Sequence, residues 1–357
     1  MKIIVYAICK NEEKFVNRWL KSMEEADAIY VLDTGSTDKT IELLKKSKKV
    51  HVKRKIIKPW RFDIARNMSL EMVPQNTNIC VCTDLDETFN SGWRQVLESL
   101  WQKDTTRCHY LYNWALDENN LPIISFYYEK IHSRNNFKWI YPVHEILQCN
   151  KQENYIKTDK IILNHYPDSN KSRSNYLSLL ELSVKEYPES DRNMHYLGRE
   201  YMYHEMWNKA IDTLIKHTKM PQATWPDEKS ASMRFISRCY IHLNRYDEAI
   251  LWINKAITEA PYLRDPYVEK AFILSKFNDN KGVIKNLNKA LKIKENNHTY
   301  INEPFSWNET IYDLLSIAYY NIGKFKLAYK NVKKALKIKP NDKRIQNNLI
   351  IIKKNIA

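Results

Sequence analysis

Four stretches in the second half of this 357-residue chain come into register when Ala210, Ala249, Val283 and Ala328 are aligned, at spacings of 39, 34 and 45. Small or turn-forming residues then line up at Gly198, Ser237, Ala271 and Ser316. Aromatic or apolar residues follow three positions later at Tyr201, Tyr240, Leu274 and Tyr319, and Pro261 and Pro340 close two units at matching offsets. A recurrence of this period constrains the fold more than any single motif does. Each unit is a helix pair that cannot bury its apolar face alone and must stack on its neighbours. Two units carry insertions, around Pro221 to Pro226 and Asn296 to Phe305. The alternative is a set of unrelated helical hairpins.

The first half follows a different rule. Ile3 to Ile8 is an apolar run too short for a secretory signal, and it reads as a first strand. Glu12 to Met23 carries a helical stripe at Phe15, Trp19, Leu20 and Met23. Ala28 to Leu32 is a second strand, Thr40 to Lys46 resumes helical spacing, and Val50 to Val52 is a short third strand. Phe62 to Met72 is helical, and a buried strand over Asn78 to Cys82 follows. Strand and helix alternating at this spacing predict a parallel sheet of the nucleotide-binding type. From Cys108 to Tyr128 the pattern turns extended and aromatic, as in an antiparallel extension.

Composition narrows the function. The net charge of +15 invites a nucleic-acid partner. The excess, however, is lysine spread along helices, at Lys281 to Lys294 and Lys324 to Lys339, where a solvated helix face explains it. No nucleic acid is therefore expected. Only five glycines, with abundant Lys, Asn and Ile, point to an AT-rich genome, of a low-GC bacterium or a large DNA virus. No stretch approaches the ~20 apolar residues of a membrane span. Cys9, Cys80, Cys82, Cys108, Cys149 and Cys239 show no zinc-like pairing, so buried reduced thiols in a cytoplasmic protein (host cytoplasm if viral) are expected.

Chemistry concentrates at Thr83-Asp84-Leu85-Asp86-Glu87. Three carboxylates gather at the carboxyl end of a strand, where open α/β sheets bind ligands. In a strand, Asp84 and Asp86 point one way and Leu85 the other, an arrangement that suits a hard divalent cation shared with substrate phosphates. A solvated acidic turn is the alternative. In Asp33-Thr34-Gly35-Ser36-Thr37-Asp38-Lys39-Thr40, Asp33 ends a strand, Gly35 permits a tight turn, and Ser36 or Thr37 caps the next helix. Arg66 lies three residues after Asp63 on a helix, placed either to pair with it on the surface or to reach a diphosphate. His165 ends a strand as a structural histidine or as a metal or diphosphate ligand. Lys171 and Arg173 belong either to a lid over phosphate or to a solvated linker.

Lys10-Asn11-Glu12-Glu13, Asp33 to Asp38, Ala65-Arg66-Asn67 and Asp84-Leu85-Asp86-Glu87, in that order and spacing, resemble the family 2 glycosyltransferases of GT-A fold over about residues 1 to 170. The helical recurrence, over about residues 190 to 345, resembles the tetratricopeptide repeat. The combination is similar to the branch that includes the peptide S-glycosyltransferases of bacteriocin pathways. The resemblance implies an α/β GT-A (Rossmann-like, nucleotide-binding) domain over 1–170, a linker or lid helix over 171–189 and all-α tetratricopeptide-like repeats over 190–357. It also implies a UDP-sugar donor (UDP-glucose or UDP-GlcNAc), Mn²⁺ or Mg²⁺, and a protein, peptide or glycan acceptor.

Position by position, it assigns Asp33 to the uracil, Ala7 and Cys9 to the base pocket, and Glu12, Arg66 and Thr83 to the nucleotide. Asp84 falls near the ribose and Asp86 on the metal ion. The expected reaction is a single displacement with inversion, in which Glu145 takes the acceptor proton. The rival has Asp86 or Glu87 assisting by position and His144 as base. A non-catalytic scaffold whose sugar-nucleotide domain only binds is the alternative of a different class. Nucleotidyl transfer would want a glycine-rich phosphate loop, which Lys10 to Glu13 lacks. The repeats are expected to hold the acceptor or a second copy of the chain, or else to brace the first half.

Overall fold

Ile3 to Cys9 is buried at every position, and both of its faces are covered. In the computed structural model, which describes residues 1–168 and 176–356, this segment is an interior strand of an eight-stranded sheet. The chain divides into two compact units, Met1–Ser183 together with His298–Tyr300, and the remainder from Val184 onward.

The first unit opens with β1 (Ile3–Cys9), α1 (Glu13–Met23), β2 (Ala28–Asp33), α2 (Thr40–Leu44), β3 (Val50–Arg54), α3 (Phe62–Glu71) and β4 (Ile79–Cys82). β5 (Glu87–Phe89), α4 (Trp93–Leu100), β6 (Arg107–Leu116), β7 (Pro122–Ser133), β8 (Phe137–Ile140), β9 (Ile146–Cys149) and β10 (Tyr155–His165) follow, and α5 (Tyr176–Glu186) runs across the boundary between the units. The sheet order is β3-β2-β1-β4-β7-β6-β10-β5, and β8 and β9 form a separate pair. β1 pairs in parallel with β2 and β4, as does β2 with β3, while β7 runs antiparallel to both β4 and β6. Strand order therefore reverses at β1, between β2 and β4, and a ligand crevice forms outside the carboxyl ends at such a point.

The two faces of β1 explain its continuous apolar sequence. Ile3, Val5, Ala7 and Cys9 pack with Phe15, Val16, Trp19 and Met23 of α1. Ile4 and Tyr6 pack with Leu70, Val73, Cys80, Cys82, Trp139 and Leu147. The Tyr6 hydroxyl lies 2.9 Å from His132 Nε2 and accepts from Trp139 Nε1 at 3.0 Å. His132 Nδ1 lies 2.7 Å from the Ser133 carbonyl, so the neutral imidazole is satisfied at both nitrogens. Burial pushes His132 down to about 3, helped by the Arg107 and Arg134 charges and opposed by the Ser133 carbonyl.

The unfolded chain takes a proton near pH 6.5 that this folded imidazole refuses. Stability is thus complete above pH 6.5 and is lost as pH falls toward the folded value, by about 2 kcal/mol at pH 5 for this one group. Histidine ring NMR should find His132 neutral at pH 5. A charged His132 in the folded protein at that pH contradicts this.

The second unit contains α6 (Asp191–Tyr203), α7 (Trp207–Lys219), α8 (Pro226–His242), α9 (Tyr246–Glu259), α10 (Asp265–Lys276), α11 (Asn280–Lys292), α12 (Thr310–Asn321), α13 (Phe325–Ile338) and α14 (Lys343–Lys353). Ala210, Ala249, Val283 and Ala328 are the fourth residues of α7, α9, α11 and α13 and are all buried. The turn before each of these helices holds one left-handed residue: Glu205, Asn244, Asn278 and Gly323, with φ of 57°, 57°, 55° and 72°. The insertion ahead of α12 is anchored from α8 and α10. Arg234 donates to the Ile301 carbonyl at 2.8 Å, and Asp265 accepts from the Glu303 backbone at 2.6 Å.

Gly198 lets α6 approach α7, since a Cβ there would meet Leu214 Cγ at 2.5 Å. Gly198→Ala should therefore lower stability by about 1–3 kcal/mol, the usual cost of overpacking. An unchanged urea midpoint would show that the two helices do not meet this closely.

All six cysteines are unpaired, and five are buried. No helix of the described residues is long and apolar enough to cross a membrane.

Candidate functional site

Two loops at the carboxyl ends of β1 and β2 lock together. Asn11, left-handed at φ 57°, donates its backbone N–H to Ser36 Oγ at 2.9 Å, and its side chain accepts from Thr37 N at 2.8 Å. The Glu12 N–H donates to Thr40 Oγ1 at 2.7 Å, and Glu13 accepts from Lys39 N at 2.9 Å. Neither Ser36 nor Thr37 caps α2, contrary to expectation. Asp38 Oδ1 instead accepts from Thr40 N at 3.0 Å, and the helix ends at Leu44.

Asp33 is fully buried. Its carboxylate accepts from Gly35 N and Ser36 N at 3.1 Å, and Arg54 Nε lies 3.5 Å away. Gly35, at φ +123°, adopts a backbone that L side chains rarely take, so this turn requires glycine. The Cys9 thiol lies 3.7 Å from Asp33. Burial, then the Asp33 charge, push that thiol far above its ordinary value. Ala7 and Glu12 are buried beside this loop pair.

The acidic motif is a turn, which corrects the expectation of a strand with Asp84 and Asp86 on one face. Glu87 N donates to the Asp84 carbonyl at 3.1 Å, Asp84 N donates to Glu87 Oε2 at 2.8 Å, and Leu85 is buried. Thr83, fully buried, accepts from Trp19 Nε1 at 3.0 Å. The turn separates the two aspartates.

Asp84 turns to two cations: Arg66 Nη2 approaches its Oδ1 at 2.7 Å and Lys130 Nζ its Oδ2 at 3.3 Å. Burial opposes the Asp84 charge, yet these two cations hold the carboxyl well below the usual range. Arg66 also donates from Nε to Glu145 Oε1 at 3.0 Å. It does not pair with Asp63, which takes Arg61 at 2.9 Å. Of the two placements that the spacing left open, the surface pair is not made: Arg66 is only 3% exposed and points into the sheet end. Glu87 accepts from the Tyr112 hydroxyl at 2.8 Å, and burial together with the Asp84 and Asp86 charges raises its carboxyl.

Asp86 turns the other way, its Oδ2 3.6 Å from His165 Nε2. His165 Nδ1 lies 3.0 Å from the Trp114 carbonyl, which fixes that nitrogen as the donor and leaves Nε2 facing the carboxylate. Burial works against the imidazolium, but the Asp86 pairing outweighs it and His165 is raised. An oxygen and an imidazole nitrogen aimed at one point, with the second nitrogen held by a carbonyl, suit a divalent ion that takes its remaining ligands from phosphate and water.

His144 and Glu145 sit in the loop between β8 and β9, where Tyr141 and His144 are left-handed at φ 78° and 50°. The His144 ring packs edge-on against Tyr176 at 5.8 Å. Lys171 and Arg173 lie outside the described residues. Lys130, Tyr112 and Trp114 were missed by the sequence. A hint existed in Lys130, which shares a strand face with Tyr128, whose ring its ammonium approaches to 4.8 Å.

Residues 4–152 match the model of Glycosyl transferase family 2, and residues 235–262 and 309–342 match that of the Tetratricopeptide repeat. The first match supports a glycosyltransferase-type function, with a nucleotide-sugar donor and an acceptor, and the second marks repeats of a protein-interaction type. No curated protein matches the chain. Among solved structures, the tetratricopeptide protein TTC0263 of Thermus thermophilus is 16% identical, with 50% of this chain and 89% of that one covered at a TM-score of 0.37. MamA is 19% identical, with 50% and 99% covered at 0.39. Yeast Tom70 is 16% identical, with 52% and 37% covered at 0.40.

Proposed function

We propose that the first unit transfers a sugar from a uridine-diphosphate donor, UDP-glucose or UDP-GlcNAc, to a protein, peptide or glycan acceptor, with inversion and with Mn²⁺ or Mg²⁺. The observation that carries this reading is the turn after β4, which aims Asp84 at Arg66 and Lys130 and Asp86 at His165. A motif serving only as a solvated acidic turn has no need of two buried cations behind it.

Asp86 and His165 would hold the metal ion, which when bound stabilises negative charge on the departing diphosphate. The chain's own residues do the rest. The interlocked loops after β1 and β2 form one wall of the base pocket, and Asp33 fixes that wall by holding the Gly35–Ser36 turn. Arg66 ties Asp84 to Glu145, so the nucleotide side and the acceptor side share one rigid support. Glu145, oriented by Arg66, is the base that takes the acceptor's proton, from oxygen or sulfur. The tetratricopeptide-like unit recruits the acceptor or a second copy of the chain.

A panel of nucleotides tests the donor assignment on the full chain. With Mn²⁺ present, UDP and UDP-sugars should raise the melting temperature while GDP and CMP do not, because ligand binding to the folded state adds stability in proportion to RT ln(1 + [L]/Kd). A shift from guanine or cytosine nucleotides alone would overturn the uridine assignment.

A further inference from the structure

Away from the nucleotide-binding sheet, three donor side chains converge within the helical unit. Asp191 is the first residue of α6, His217 lies in the last turn of α7, and Glu228 lies in the first turn of α8. One ligand atom from each lies within 4.8 Å of the others. Both carboxylates occupy helix starts, where the macrodipole favours them, and that alone would explain their presence. It does not explain the imidazole between them.

His217 is fully buried, and its Nε2 has no hydrogen-bond partner. The Glu228 Oε1 atom lies 3.5 Å from it, within ion-pair distance. On the other side of the ring, Nδ1 lies 2.9 Å from Ser232 Oγ, and the same hydroxyl lies 2.7 Å from His195 Nδ1. A serine hydroxyl has a single proton, so it donates to one imidazole and accepts from the other. When the hydroxyl donates to His217, Nε2 carries the proton and turns it toward Glu228; when His217 Nδ1 donates to the hydroxyl, Nε2 presents a lone pair to the carboxylates, the form that a cation between them selects. An imidazole held through its far nitrogen by a hydroxyl is also how metal-ligating histidines are oriented.

We propose that Asp191, His217 and Glu228 bind a first-row divalent metal ion, Zn²⁺ by preference, with Ser232 and His195 as the outer support. Ligands about 2.1 Å from a tetrahedral ion stand roughly 3.4 Å apart, and His217 Nε2 and Glu228 Oε1 are already at 3.5 Å. Asp191, half-buried at its helix start, closes the third side and leaves a fourth position for water. One imidazole among carboxylates favours zinc over magnesium or calcium, which prefer oxygen alone. The ion would clasp the start of α6, the end of α7 and the start of α8, fastening the first helix pair to the second. This site is independent of the transfer reaction.

The test uses the full-length chain carrying Asp86→Asn and His165→Gln, so that the sheet-end donors contribute nothing. After chelation and re-addition of zinc chloride, this protein should retain about one zinc per chain through gel filtration and should melt higher with zinc than without. Ser232→Ala should weaken zinc binding by the ~10–100-fold typical of losing an outer partner. His217→Gln and Asp191→Asn should weaken it at least as much. If His217→Gln loses its helical circular dichroism, the half-buried Asp191→Asn variant decides. No retained zinc, or zinc retained equally with Asp191→Asn in place, overturns the proposal.

Discussion

Replacing Asp86 with asparagine should lower metal-dependent release of UDP from a UDP-sugar by about 10³-fold or more, since a metal ion at a leaving phosphate contributes several kcal/mol to the transition state. The fold should survive. Asp86 and His165 are 13% and 14% exposed and stand 3.6 Å apart, so the pair lost is a loose one at the edge of the site. The comparison with Asp84→Asn sharpens the point. Asp84 answers two buried cations, so its loss should cost stability as well as activity. Full turnover by Asp86→Asn with metal still required would remove Asp86 from the metal site.

Arg66→Met should be among the most damaging single changes to the first unit's stability. The guanidinium is 3% exposed and answers Asp84 on one side and Glu145 on the other. Removing it leaves Asp84 with Lys130 alone and strips Glu145 of its bond to Arg66. Breaking a buried pair in this way costs about 3–5 kcal/mol. For a domain of this size that corresponds to a melting temperature roughly 6–20 °C lower. Lys46→Met removes the exposed Glu42 pair, whose side chains are 64% and 65% exposed, and should change stability by at most ~0.5 kcal/mol. If the deficit comes from uncompensated charge, adding Asp84→Asn to Arg66→Met should cost less than the sum of the two single changes. Equal, small effects of Arg66→Met and Lys46→Met would show that the buried network does not support the site.

The sequence made the elements legible because burial imposes a period. The unbroken apolar run of β1 reflects a strand covered on both faces, and the aligned Ala210, Ala249, Val283 and Ala328 reflect a helix pair repeated. A second repeat signal was present but unread: Glu205, Asn244, Asn278 and Gly323 share one left-handed turn position, which asparagine and glycine tolerate and glutamate does not signal.

Local spacing left pairing open. Asp63 and Arg66 look like a helical pair at three-residue spacing, yet Arg66 reaches Asp84 and Glu145, 18 and 79 residues away. Asp84 and Asp86 look like two rungs of a strand, but the Glu87 N–H closes a turn and sends them apart. The grouping of Asp191, His217 and Glu228 had no local signature, because its members come from separate helices.

The central claim is that the Asp86–His165 pair at the sheet end serves a UDP-sugar. The most direct test is UDP release from UDP-glucose and UDP-GlcNAc by the full-length chain with Mn²⁺, measured for wild type and for Asp86→Asn. The account predicts metal-dependent release by the wild type and its near-complete loss in the variant. Release that ignores both the metal and Asp86, or none from any UDP-sugar by a folded wild-type chain that binds UDP, would contradict it.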